Sequence, residues 1–168
     1  YHGSREGARE LVMVSGYSGT GKSALVNEIH KPVSRDKGYF ITGKFDRLQR
    51  SVPYYAFIQA FDQFCQLLLT ENQEILDHWK QVIQNAVGKL GSVLTGIIPR
   101  LPSIIGEQPE APPMGGREAK KRFHYIILRL LQAVSSKDHP LVMFIDDLQW
   151  ADLASLDLLQ LILEDNRN

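Results

Sequence analysis

An α/β fold, with a parallel sheet flanked by helices, is what this sequence predicts. Two observations carry that expectation. Three short apolar runs, Leu11–Val14, Gly38–Thr42 and Leu141–Ile145, end in turn or acidic residues, as buried strands do. Between and after them lie segments whose apolar residues recur at three- and four-residue steps, giving the order strand, helix, strand, helices, strand, helix. The chain has 168 residues, 43% of them hydrophobic and 23% charged, which suits one domain with a real core.

Residues 1–10 are polar and glycine-rich and read as a linker. Leu11–Val14 is the first strand, followed by a glycine-rich turn and a helix over Ser23–His30 that Pro32 is expected to end. Gly38–Thr42, rich in aromatic and β-branched residues, is the second strand, so residues 11–52 form a strand-loop-helix-strand unit. A helical insert then occupies residues 53–139. Its first helix carries Tyr54, Phe57, Ile58, Phe61, Phe64, Cys65 and Leu68 on one face. Thr70 to Gln73 has the form of a capping box for a second helix, whose stripe is Ile75, Trp79, Val82, Ile83, Ala86 and Val87. Residues 90–105 are apolar but broken by Pro99 and Pro102, which predicts short helical pieces. Residues 106–116, with three prolines and three glycines, predict a loop. The insert's last helix shows Phe123, Ile126, Ile127, Leu130, Leu131 and Val134. Residues 140–168 supply the third strand and a final helix capped by Asp152.

The chemistry lies in two strings. Gly16-Tyr-Ser-Gly-Thr-Gly21-Lys22-Ser23 matches G-x-x-x-x-G-K-[ST], a phosphate-binding loop. Glycines let the backbone curl so that successive N–H groups face phosphate oxygens, and the helix that follows favours anions at its start. Gly16, Ser18, Gly19, Thr20, Gly21, Lys22, Ser23 and Ala24 would line a nucleotide, with Lys22 on the β- and γ-phosphates and Ser23 on Mg²⁺. Chance gives this pattern in roughly 1 chain in 150–200 of this length, and the flanking strand and helix sharpen it further. A dinucleotide fingerprint is excluded by spacing: the glycines read G-x-x-G-x-G, and Lys-Ser follows directly. The second string is Leu141-Val-Met-Phe-Ile-Asp146-Asp147. An acid at the carboxyl end of such a strand helps hold Mg²⁺, so Asp146 is the expected metal ligand, and Asp147 can polarise a water as general base.

Taken together, Gly16–Ser23 and Phe144-Ile-Asp146-Asp147-Leu-Gln149-Trp150-Ala-Asp152 resemble the STAND branch of the AAA-like P-loop ATPases. Gly38-Tyr-Phe-Ile-Thr-Gly-Lys44-Phe-Asp46 and the long helical insert before the second acidic (Walker B) strand resemble one subset, the ATPase module of multi-domain sensor kinases. The resemblance covers nearly the whole chain. It implies ATP and Mg²⁺ as cofactors, slow hydrolysis, and a nucleotide-dependent switch inside a larger signalling protein, with kinase or sensor regions as neighbours and self-association as an option. It places Lys22 on phosphate, Ser23 and Asp146 on magnesium, and Asp147 where many relatives carry a catalytic glutamate. It also implies a five-stranded sheet with a further strand between those of Leu11–Val14 and Leu141–Ile145, so the 168 residues read as an excerpt of a longer protein. Two other classes compete: an interaction scaffold with a degenerate nucleotide site, and a small-molecule kinase using the same loop.

Composition narrows the rest. Nineteen basic residues balance nineteen acidic ones, so a sequence-independent grip on nucleic acid is not expected. No apolar run approaches the ~18 residues of a membrane span. One cysteine excludes an intrachain disulfide framework and, with no signal peptide at the start, suggests a cytoplasmic setting. Cys65 reads as inert core, and the five histidines lack metal-ligand spacing. Lys44, Asp46 and Arg47 can line the cleft or form a solvated turn, with the turn favoured. The basic cluster Arg117, Lys120, Lys121 and Arg122 reads as a solvated face, and Trp150 as packing beneath the last helix.

Overall fold

A computed structural model describes residues 10–17, 20–35, 38–136 and 138–165. Helix α1 spans Lys22–Arg35, strand β1 Tyr39–Lys44 and strand β2 Leu141–Asp146. The insert between the strands folds as α2 (Tyr55–Leu68), α3 (Gln73–Val87), the short α4 (Gly91–Thr95) and α5 (Leu101–Ile105), and α6 (Gly116–Val134). Helix α7, Leu153–Glu164, follows β2. The layering is therefore α/β with the parallel sheet that the sequence predicts.

The strands pair in parallel, from Tyr39 opposite Leu141 to Lys44 opposite Asp146. Alternation then sorts their side chains. Ile41, with Met143 and Ile145, joins the large core built by α2, α3, α5 and α6, where Phe61, Phe64, Ile83, Leu101, Ile126 and Ile127 are fully buried. Phe40, Val142 and Phe144 face the other way and pack on Val26 and Val33 of α1. The sheet thus separates a small α1 layer from the helical insert and holds its carboxyl ends between them.

Several boundaries differ from the sequence reading. Leu11–Val14 is irregular and forms no strand; Val12 and Met13 are each 73% exposed. An apolar run becomes a strand only with a neighbour for its backbone groups, and among the described residues the sheet is β1 and β2 alone. For the same reason every residue of β2 is half-buried rather than buried on both faces. Helix α1 runs through Pro32 to Arg35: a proline in the last turns forfeits one helical bond, and Val33 beyond it is fully buried. Asn72 caps α3, its side chain accepting from the Ile75 N–H at 3.0 Å, while the Thr70 hydroxyl donates back to the Leu67 carbonyl at 2.7 Å. The capping-box spacing therefore pointed two residues early. Asp152 caps α7 as expected, accepting from the Ser155 N–H at 2.9 Å.

Helix α2 closes the outer edge of β1. Gln63 Oε1 accepts from the Thr42 N–H at 2.6 Å and Gln59 Oε1 from the Lys44 N–H at 3.0 Å, satisfying two of the strand donors that face away from β2. Between them, Gly43 lies so close to α2 that a Cβ there would sit 1.9 Å from the Ala56 carbonyl oxygen. Gly43→Ala is therefore expected to push α2 off the strand, costing about 1–3 kcal/mol or more. Gly115→Ala, which has nothing within 4 Å, should be close to neutral. Thermal melts of the two variants side by side check this; equal melting temperatures would refute the close approach.

Candidate functional site

The site residues expected from the sequence lie at the carboxyl ends of β1 and β2, at the start of α1 and in the loop before it. Gly21 adopts φ +85°, a left-handed value that glycine accepts without strain, and the Leu25 N–H donates to its carbonyl at 3.0 Å to open α1. In the loop before it, the Thr20 hydroxyl and N–H both donate to the Tyr17 carbonyl, at 2.8 and 3.4 Å. A side chain at Gly16 would press on Thr20 Oγ1 at 2.9 Å. Lys22 is the first residue of α1, and its ammonium folds over its own loop to donate to the carbonyls of Gly16 and Tyr17, both at 2.8 Å. Ser18 and Gly19 lie outside the described residues. Ser23 and Ala24 follow Lys22 in the first turn of α1.

At the other end of the site, Asp146 is the last residue of β2 and shares the sheet face of Phe144. It lines a groove of about 570 Å³ with Val26 of α1, Thr42 and Lys44 of β1, and Gln59 and Gln63 of α2. Its Oδ1 accepts from the Asp147 N–H at 2.9 Å. That bond goes with the left-handed backbone of Asp147 (φ 55°), a conformation aspartate tolerates better than most residues. The chain reverses there, so the two carboxylates point different ways.

Asp147 is held by two donors. Gln149 Nε2 donates to Oδ1 at 2.9 Å, and the Lys44 ammonium lies 3.2 Å from Oδ2. The Gln149 hydrogen bond, then Lys44, and finally the more distant charge of Lys22 keep this carboxyl below the usual aspartate range. Lys44 is raised by its hydrogen bond to Asp147 and by the charges of Asp147, Asp146 and Asp46. The pair therefore forms above the ordinary carboxylate pKa, is lost as pH falls through the lowered value of Asp147, and fails at high pH only above the raised value of Lys44. It is fully charged at neutral pH.

The loops beyond the strands are tied together as well. The Phe45 N–H donates to the Asp146 carbonyl at 3.1 Å, and the Arg47 guanidinium lies 5.8 Å from the Trp150 ring centre. The Tyr54 N–H donates to Asp152 Oδ2 and Ser155 Oγ, while its hydroxyl meets His124 Nε2 at 3.0 Å. Trp150 packs against the large core as expected. Of the basic cluster, Lys120 pairs with Asp157, and Arg122 donates to the Pro112 carbonyl.

Lys44 is exposed, as the solvated reading expects, but it ends β1 rather than lying in a turn, lines the groove and pairs with Asp147. Sequence reasoning gave no role to Gln59 and Gln63, and named Gln149 only within the string that carries the family resemblance. Gln59 and Gln63 stand four apart on the polar side of α2, a helical stripe that signals a shared face but not what it meets.

A family model described as an AAA ATPase domain matches residues 1–167. The chain is 37% identical over 161 residues to hybrid signal transduction histidine kinase G of Dictyostelium discoideum, covering 96% of this chain and 5% of that protein. It is 23% identical over 175 residues to histidine protein kinase 1 of Candida albicans, covering 95% of this chain and 7% of that protein. The chain thus spans a small fraction of either relative. No solved structure matches it significantly.

Cys65 is a free cysteine buried in the large core. Burial, then the charge of Asp62, pushes its thiol up to about 12, so no thiolate is present near neutral pH. Native protein at pH 8 should resist maleimide labelling at Cys65 and take up the label only once unfolded. Rapid native labelling, read by mass spectrometry, would show that the α2 core opens.

Proposed function

Because the chain belongs to the AAA ATPase domain family, we propose that it binds Mg-ATP, hydrolyses it slowly, and serves as a nucleotide-dependent switch inside a larger cytoplasmic signalling protein with kinase or sensor regions. The observation that carries this reading is that the groove lined by Asp146 at the end of β2 is also lined by Val26 of α1, the helix that the phosphate-loop motif opens.

The donor set suits magnesium. Asp146 offers a carboxylate and Ser23, by its place in the motif, a hydroxyl; Mg²⁺ takes one or two such hard oxygens and completes its shell with phosphate oxygens and water. When bound, the ion neutralises charge on the β- and γ-phosphates. Lys22 exchanges its two loop carbonyls for phosphate oxygens, which is a gain because a charged acceptor makes the stronger hydrogen bond. The start of α1 adds N–H groups facing the anion. Asp147 takes the proton of a water as that water's oxygen bonds to the γ-phosphorus and the bond to the ADP oxygen breaks, giving ADP and phosphate.

Calorimetry on the intact protein tests the binding step. Lys22→Ala should weaken ATP binding by roughly 1.5–3 kcal/mol, the worth of a charge-assisted contact. An unchanged affinity would sink the assignment and favour a scaffold with a degenerate site.

The two aspartates should separate in kinetics. Asp146→Asn should lose the magnesium-dependent part of ATP affinity. Asp147→Asn should keep binding but slow turnover by about 10²–10⁴-fold, the usual worth of a general base. Parental turnover in Asp147→Asn would remove it from the chemistry.

A further inference from the structure

The basic cluster at the start of α6 divides in the fold. Lys120 pairs with Asp157 of α7, and Arg122 turns back to the Pro112 carbonyl. Arg117 and Lys121 stay exposed and, among the described residues, have no carboxylate partner; the same holds for Arg129 further along the helix. Four residues turn a helix about 40° past a full circle, so Arg117, Lys121, Tyr125 and Arg129 form one slowly winding row. At 1.5 Å per residue the row is about 18 Å long. Tyr125, 52% exposed, stands between Lys121 and Arg129. The opposite face of α6, with Phe123, Ile126, Ile127 and Leu130, is buried in the large core. The row is electrostatically unfavourable for the helix that carries it. Arg117 and Lys121 are like charges four apart, which repel. Arg117 is also the second residue of α6, where the helix dipole favours an anion.

We propose that this row is a docking surface for a partner protein, and that the partner presents an acidic helix whose Asp or Glu residues repeat every three or four positions. The proposal does not depend on the ATPase reading. Charge complementarity sets the partner's chemistry. Carboxylates at helical spacing match cations at helical spacing, so two straight helices laid side by side bring each pair together. Near the start of α6 those carboxylates also meet the favourable end of the helix dipole. The residue types point to a protein rather than a polyphosphate. Arg and Tyr dominate the hot spots of protein interfaces, and three of the four residues in the row are of these types. A nucleic acid is gripped by an excess of positive charge, whereas this chain balances nineteen basic with nineteen acidic residues. Carboxylates already stand beside the row, Glu118 next to Arg117 and Asp157 on Lys120. A bilayer surface calls for several apolar anchors among the cations, and Tyr125 is alone between them. Exposed ion pairs are individually weak, so affinity comes from the row acting together and falls as salt rises.

The test uses the intact protein and a fluorescein-labelled peptide with Glu at every fourth position and Ala elsewhere, read by fluorescence anisotropy at low salt. The same peptide with Gln in place of Glu is the control. The Glu peptide should bind about 10-fold more tightly than the Gln peptide, the combined worth of three exposed pairs. Arg117→Glu, Lys121→Glu and Arg129→Glu together should lower its affinity by about 10-fold or more, while Lys89→Glu, at an exposed lysine outside α6, should change it by less than about 2-fold. The milder set Arg117→Gln, Lys121→Gln and Arg129→Gln covers the case in which the reversed protein fails to fold, and should weaken binding by about 3- to 10-fold with an unchanged thermal melt. Tyr125→Ala should weaken binding and leave its salt dependence intact, whereas Arg129→Gln should flatten that dependence. Equal affinity for the two peptides, binding of neither, or parental affinity in the neutralised set would overturn the surface. So would oligothymidylate or phosphatidylserine vesicles that bind more tightly than the Glu peptide and are lost in the same variants, which would assign the row to a nucleic acid or a membrane instead.

Discussion

The outer edge of β1 is the constraint on which the rest of this structure depends. Among the described residues the sheet has two parallel strands, and its edge donors need partners other than a strand. Here α2 supplies two side-chain carbonyls, from Gln59 and Gln63, to the N–H groups of Lys44 and Thr42. That arrangement needs the helix to lie almost on the strand, and Gly43 is what permits it. The same contact brings Phe57, Phe61 and Phe64 over the inner face of the sheet, where Ile41 and Phe45 complete the core. Edge protection, core packing and the placement of Lys44 are thus one arrangement seen from three sides.

From that edge the electrostatics of the site follow. Register sets the end of β1 beside the end of β2, so the ammonium of Lys44 meets the acids that terminate β2. The left-handed turn at Asp147 then sends the two carboxylates apart, one into the groove beside α1 and the other to Lys44 and Gln149. Tyr54 carries a similar left-handed backbone (φ 63°), which costs about 1–3 kcal/mol for a non-glycine residue. Its N–H bonds to Asp152 and Ser155 and its hydroxyl contact with His124 offset that cost. The loops after the two strands are in this way fastened to each other and to α6.

Much of this was legible in the sequence because it is local. The period of Phe57, Phe61, Phe64 and Leu68 names the buried face of α2, and Asp152 announces the start of α7. The phosphate-loop motif and the strand ending in Asp146 can be read from residue order alone, since the chemistry of that motif demands its order. What escaped depends on partners distant in sequence. That Lys44, though exposed, is paired depends on Asp147, more than a hundred residues later. Gln59 and Gln63 look like any polar helix face until the strand edge is known. Leu11–Val14 has the composition of a buried strand, but composition cannot say whether a neighbour is present to pair with it.

The two faces of the sheet also differ in how firmly they hold their helices, and this bears on the switch. The insert side is one large core with many fully buried aromatic and aliphatic side chains. On the other face, only Val26, Val33 and Phe40 are buried among the described residues, with Ile29, Val142 and Phe144 half-covered around them. Regions with few buried apolar contacts open at lower free energy than the core. Among the described residues, helix α1, which carries Lys22, therefore shows the smaller buried apolar contact with the sheet. A ligand that bridges α1 to Asp146 adds its binding free energy to that docking, by about 2.7 kcal/mol at a hundred times its dissociation constant. Under the ATPase reading, nucleotide acts as the missing cement between a weakly packed helix and a firmly packed sheet. The consequence of hydrolysis would be felt first as looser docking of α1, while the insert side of the sheet stays intact.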